Sequence, residues 1–217
     1  MSTFFNSTQG VLSVAATSFL ILYLFFRILK AKYVITTKIV TYTALCLALA
    51  TILSNITFFR MPQGGRVTLC SMLFIIIISY WFGPVFGVLA GFINGLLQLM
   101  FDPYIMHPLQ LLLDYPLSYA ALGLAGLFRT NKNGLQIGFI FGAFMRFLVT
   151  AFSGFIFFSD YLREPIANLI YTVQYNISYI GAEALITLFI INFAPIKNAI
   201  NLIKNSLVLN GVENQTQ

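Results

Sequence analysis

The sequence predicts an all-α integral membrane protein, and three observations carry that prediction. Only 8% of its 217 residues are charged and 59% are hydrophobic, whereas soluble domains carry about 25% charged residues. The apolar residues gather in runs that approach the ~20 residues needed to cross a hydrocarbon core. The charges sit mostly between those runs. Lipid offers the backbone no hydrogen-bond partners, so runs of this kind form helices.

Seven spans are predicted, at about 11–29, 37–59, 67–82, 84–101, 113–128, 135–158 and 171–194. The first follows ten residues without Lys or Arg and precedes Arg27, Lys30 and Lys32. A signal peptide has the opposite polarity, so a retained helix with its N-terminus outside is expected. The span at 37–59 carries Ala44 and Ala48, four apart, a small-residue pair suited to helix packing or to contact with another subunit. The third span is short and rich in isoleucine, and Gly83-Pro84 separates it from the fourth by a tight turn. Gly83, Gly87, Gly91 and Gly95 recur every four positions, as do Gly134, Gly138 and Gly142, which predicts close helix packing inside the bundle. The seventh span ends at Pro195.

No internal repeat or second domain is visible. Residues 1–34 are expected to form an extra N-terminal transmembrane helix, residues 35–196 a six-helix membrane domain and residues 197–217 a tail. Threading with the N-terminus outside places Arg27, Lys30, Lys32, Lys38, Arg129, Lys132, Lys197 and Lys204 on inner connections. Only Arg60, Arg66 and Arg163 fall outside, and this bias puts the C-terminus in the cytoplasm. It also accounts for the net charge of +6 without nucleic acid as a partner. Cys46 and Cys70 have no metal-ligand spacing and read as buried free thiols.

Catalysis is not expected. There is no Gly-rich loop ending in Lys-Ser/Thr, and the single histidine, His107, cannot build a zinc site or a buried serine's base. What remains is a binding site near the outer face, without metal or cofactor. Asp114 opens the fifth span one turn before Ser118, next to a loop holding Tyr104 and His107. An ionisable side chain at such depth marks a ligand, an ion or a partner charge. On the last span Tyr171, Tyr175, Tyr179 and Glu183 share a stripe, with Asn176 beside it, and the sixth contributes Arg146 and Thr150. A carboxylate among tyrosines suits a cationic aromatic ligand, by charge and by stacking. Two bland readings compete: tyrosines of an interfacial belt, and an Arg146 that simply neutralises Asp114 or Glu183.

The runs MPQGGRVTLCSML, FGPVFGVLAGFINGLLQL and YIMHPLQLLLDYPLSYAALGLAGLF, followed by MRFLVTAFSGFIFF and YTVQYNISYI, resemble the thiamine-specific S components (ThiT/YuaJ family) of energy-coupling factor (ECF) vitamin transporters. The resemblance runs over about 37–196 in order, with LDYPL its most specific piece, and leaves out the first helix. It implies a six-helix S-component core in a bacterial cell membrane that captures thiamine from outside. Delivery then requires a shared transmembrane T component and two ATPase subunits. It further implies that the thiazolium-binding carboxylate is Asp114, with Tyr115, Tyr104, Tyr171 and Asn176 around the ligand and Phe158 at the place of the family's aromatic after the fifth core helix. Ala44 and Ala48 fall on the family's contact face for the T component, and Phe59–Gly65 on the loop that caps the site. Thr150 stands where the family has a histidine against the pyrimidine ring, and Arg66 after the glycine pair is unusual for the family. A pyrimidine precursor or another heterocyclic vitamin therefore stays open beside thiamine. So do a stand-alone secondary transporter relaying protons through Asp114 and Glu183, and an assembly factor without ligand.

Overall fold

Helix α1, Thr37–Asn55, begins where the Thr36 hydroxyl accepts from the Ile39 N–H, an N-cap. The computed structural model describes residues 35–101, 103–157 and 164–213. The expected N-terminal helix and Phe158 lie outside the described residues. After α1 the chain makes a two-stranded antiparallel hairpin, β1 Thr57–Arg60 and β2 Arg66–Thr68, with Thr57 opposite Thr68 and Arg60 opposite Arg66. The helix predicted to reach residue 59 thus stops earlier. Thr57, Phe58 and Phe59 favour extended backbone, and Gly64 adopts φ +85°, which lets the chain reverse.

Helix α2, Ser71–Phe82, is short, and ten of its twelve residues are buried. At about 1.5 Å per residue it is too short to cross a ~30 Å core by itself, and the other helices wall it in. Gly83, at φ +97°, turns the chain into α3, Pro84–Gln98, with Pro84 in the first turn. Helix α4, Pro108–Phe128, starts earlier than predicted and changes gauge along its length. Leu113–Leu117 forms a wide π-turn containing Pro116, and Gly123–Phe128 tightens to 3-10 winding. Pro116 has no N–H to return to the preceding turn, which is the local reason for the irregularity.

Helix α5, Gly134–Phe157, presents Ile140, Phe144, Leu148 and Phe152 outward as a lipid-facing stripe. Helix α6, Pro165–Asn192, ends before Pro195, and α7, Ala194–Glu213, leaves it at 78°. The stretch predicted as a tail therefore holds a helix. Ile196, Ile200 and Ile203 on one side of α7 pack on the core. The Trp81 indole N–H donates to the Ile200 carbonyl at 3.1 Å, and the Tyr80 hydroxyl donates to Asn201 at 3.0 Å.

Glycine spacing decides the packing around α4. A Cβ on Gly87, Gly91 or Gly95 of α3 would collide with the backbone of Gly123, Tyr119 or Tyr115–Pro116, and one on Gly138 or Gly142 of α5 with the Ala125 or Leu122 backbone. Both glycine ridges thus serve internal packing, as their spacing predicts. They clamp α4 between α3 and α5. Ala44 and Ala48, by contrast, lie on the exposed face of α1.

Candidate functional site

The hairpin, the loop before α4, and helices α1, α3, α4, α5 and α6 surround a polar cavity. It holds about 860 Å3 of atom-free space, its open mouth included. Asp114, Tyr115, Tyr104, Tyr171, Asn176 and Thr150 all line it. The six predicted side chains that the structure describes therefore converge from α4, its preceding loop, α5 and α6. Ala44 and Ala48 stand apart from it, on the outer surface of α1.

Asp114 owes its position to the π-turn. The wider turn opens less angle per residue than an α-helix, so adjacent Asp114 and Tyr115 both face the cavity. Gln110, one turn earlier and almost fully buried, donates to the Asp114 carboxylate at 2.6 Å and to the Tyr104 carbonyl at 3.1 Å. Its own oxygen accepts from the Met106 N–H at 3.0 Å. The Tyr115 hydroxyl accepts from the Tyr104 N–H at 2.8 Å. The Ser118 hydroxyl donates back to the Asp114 carbonyl, satisfying a group that the irregular turn frees. Sequence reasoning missed Gln110, although its i−4 spacing to Asp114 was a usable signal.

Helix α6 supplies the opposite wall. Tyr171, Tyr175 and Tyr179 form a ladder with ring centroids 6.1 and 5.7 Å apart. The Asn176 amide donates to the Thr172 carbonyl at 2.9 Å, and its oxygen accepts from the Tyr179 hydroxyl at 2.9 Å. The Tyr175 hydroxyl accepts from the Gly65 N–H at 3.0 Å, which joins the hairpin to this wall. Arg66 donates to the Phe101 carbonyl at 2.8 Å, tying the other side of the hairpin to the end of α3.

The floor is charged. Arg146 is buried, with its guanidinium 4.2 Å from the Tyr119 ring centroid, a cation–π contact, and its Nε has no hydrogen-bond partner among the described residues. Tyr119 was not singled out in the sequence, because its ring contact with α5 depends on helix packing. Glu183 accepts from the Ser71 hydroxyl at 3.0 Å and the Met72 N–H at 3.3 Å. It therefore serves as an acidic cap on the start of α2. Thr150 donates within its own helix, to the Arg146 and Phe147 carbonyls. Among the described residues, the buried Thr172 hydroxyl on the same wall has no hydrogen-bond partner. Polar atoms stranded in this way call for a ligand or water. His107 plays another part, capping α4 through the Leu109 N–H and stacking on Phe157 at 5.1 Å.

Residues 40–203 match the model of the thiamine transporter protein family. The chain is 32% identical over 152 residues to the thiamine transporter ThiT of Bacillus subtilis (strain 168), covering 63% of this chain and 79% of that protein. A solved structure of ThiT from Listeria monocytogenes superposes with a TM-score of 0.55 at 20% identity, covering 79% of this chain and 93% of the other. That likeness concerns the fold.

Proposed function

This chain belongs to the thiamine transporter protein family, a family of membrane transporters and not of enzymes, and we propose that it is the substrate-binding S component of an ECF-type importer for thiamine. The observation that supports this reading is the meeting of Asp114 with Tyr104, Tyr115, Tyr171 and Asn176 in one cavity. In the proposal the carboxylate offsets the thiazolium charge and the tyrosine rings stack on the two heterocycles. Asn176 and Thr150 meet the aminopyrimidine. Because the Thr150 hydroxyl donates within its helix, what it offers a ligand is an acceptor, which suits an exocyclic amine. The reading also takes Phe158, outside the described residues, as an aromatic contact of the ligand, and the hairpin, held by Gly65 to Tyr175, covers the site.

The same reading takes residues 35–196 as the binding domain, 1–34 as an added transmembrane helix and 197–217 as a cytoplasmic tail, with the N-terminus outside the cell membrane. Ala44 and Ala48 form the contact face for the T component, and their exposure on α1 supports that assignment. Two ATPase subunits drive release. A second reading, an S component for the pyrimidine precursor of thiamine or a related heterocycle, draws on Thr150 alone, since threonine is shorter than histidine and never charged.

Calorimetric titration of the detergent-solubilised chain with thiamine, its pyrimidine precursor and other B vitamins tests both. Saturable thiamine binding stronger than precursor binding is expected. Precursor binding that outcompetes thiamine selects the second reading, and no binding by either refutes both. Uptake in cells lacking the shared ATPases is expected to vanish, whereas transport that persists there identifies a stand-alone carrier.

A further inference from the structure

At the end of the bundle opposite the cavity, α2, α4 and α7 meet in a corner rich in cations. Lys204 of α7 lies 3.7 Å from the Tyr80 ring centroid and donates to the Arg129 carbonyl. The Arg129 guanidinium donates to the Trp81 carbonyl at 3.0 Å and spreads over Gly83. Among the described residues, the hydrogen-bond and ring partners of both cations are uncharged groups. Lys132 follows Arg129 by three residues in the exposed turn after α4, and Lys197 lies two helical turns before Lys204 on the same side of α7. No Asp or Glu occurs between Asp114 and Asp160 or between Glu183 and Glu213. Cations gathered this closely repel one another, and an anion bound among them would reverse that repulsion.

The surroundings say what kind of anion fits. Phe193 at the bend before α7 and Leu202 on the face turned away from Lys197 and Lys204 are 60% and 70% exposed, while Ile196, Ile200 and Ile203 pack on the core. Tyr80 and Trp81 hold α7 through their polar tips, as aromatic side chains do at a hydrocarbon boundary. A helix with lysines on one side and an exposed leucine on another suits the plane between headgroups and acyl chains. We propose that this corner is a binding site for an anionic phospholipid, with its phosphate among Lys204, Arg129, Lys132 and Lys197. The site is separate from the cavity and does not depend on what the cavity binds.

Trp81 is the only tryptophan in the chain, and its indole bonds α7 directly, so its fluorescence reports on this corner. The full chain is reconstituted in phosphatidylcholine vesicles containing equal fractions of brominated phosphatidylglycerol or brominated phosphatidylcholine. Brominated phosphatidylglycerol is expected to quench Trp81 roughly twofold more strongly, because juxtamembrane lysines concentrate anionic lipid. The double variant Lys132→Gln, Lys197→Gln leaves the packed Lys204 and Arg129 in place and is expected to lose most of that preference. Circular dichroism verifies that the variant keeps its helices. Equal quenching by the two lipids in the unmodified chain overturns the proposal. A preference abolished by excess inorganic phosphate assigns the corner to a soluble anion and overturns it as well.

Discussion

Replacing Asp114 by asparagine removes one charge and almost no volume. The carboxylate oxygen that accepts from Gln110 at 2.6 Å has a counterpart in the asparagine amide, so the bond that holds the loop at Tyr104 can persist. What is lost is attraction to a cationic ligand. Two opposite charges about 4 Å apart attract by ~4 kcal/mol at an effective dielectric near 20. Desolvation of the carboxylate returns part of this, and truncating one partner of a buried charge pair costs about 2–5 kcal/mol. A loss of ~3 kcal/mol corresponds to roughly 150-fold weaker binding. Titration calorimetry with thiamine is the assay, and the neutral pyrimidine precursor is the control. The variant should weaken thiamine by about two orders of magnitude while changing precursor binding little. Equal affinity of the variant and the unmodified chain for thiamine would remove the carboxylate from the mechanism. An equal loss for both ligands would show that Asp114 acts by shaping the cavity.

Gly91→Leu would drive a side chain into the Tyr119 carbonyl of α4. Overpacking of this kind costs about 1–3 kcal/mol, so the melting temperature in detergent should fall, and an unchanged value would contradict the clamp around α4. Tyr175→Phe deletes the acceptor of the Gly65 N–H. With about 1 kcal/mol lost from the hairpin contact, ligand dissociation followed by stopped-flow fluorescence should quicken by roughly fivefold, and an unaltered rate would exclude that contact as a fastening. Glu183→Ala leaves the start of α2 without its cap and the Ser71 hydroxyl with Thr68 as its remaining partner. A stability loss of about 2 kcal/mol is expected from chemical denaturation, and a neutral result would mean that water replaces the carboxylate.

Much of this molecule could be read one residue at a time. The cost of placing a peptide group or a carboxylate in lipid is a local property, so hydropathy located the helices of the membrane domain and singled out Asp114 as a candidate binding residue. Four-residue spacing likewise exposed the glycine ridges and the tyrosine ladder, because a helix repeats its faces at that interval. Other features depend on which distant segments meet. Thr57–Phe59 continues an apolar run and looked helical, until the strand Thr57–Arg60 paired with Arg66–Thr68. The tail after Pro195 looked featureless until Tyr80 and Trp81 supplied its hydrogen bonds. Gln110 shares a helix face with Asp114 by its spacing, but its hold on the Tyr104 carbonyl appears only where the preceding loop folds back over α4.

The sequence by itself determined that this protein lives in a membrane as a helical bundle, and that Asp114 sits where a charge needs a reason. Only the tertiary structure decided how that carboxylate is presented. The glycines of α3 and α5 clamp α4, and its π-turn at Pro116 then directs Asp114 and Tyr115 into a cavity walled by α5 and α6, because what a side chain faces is set by contacts between segments far apart in the chain.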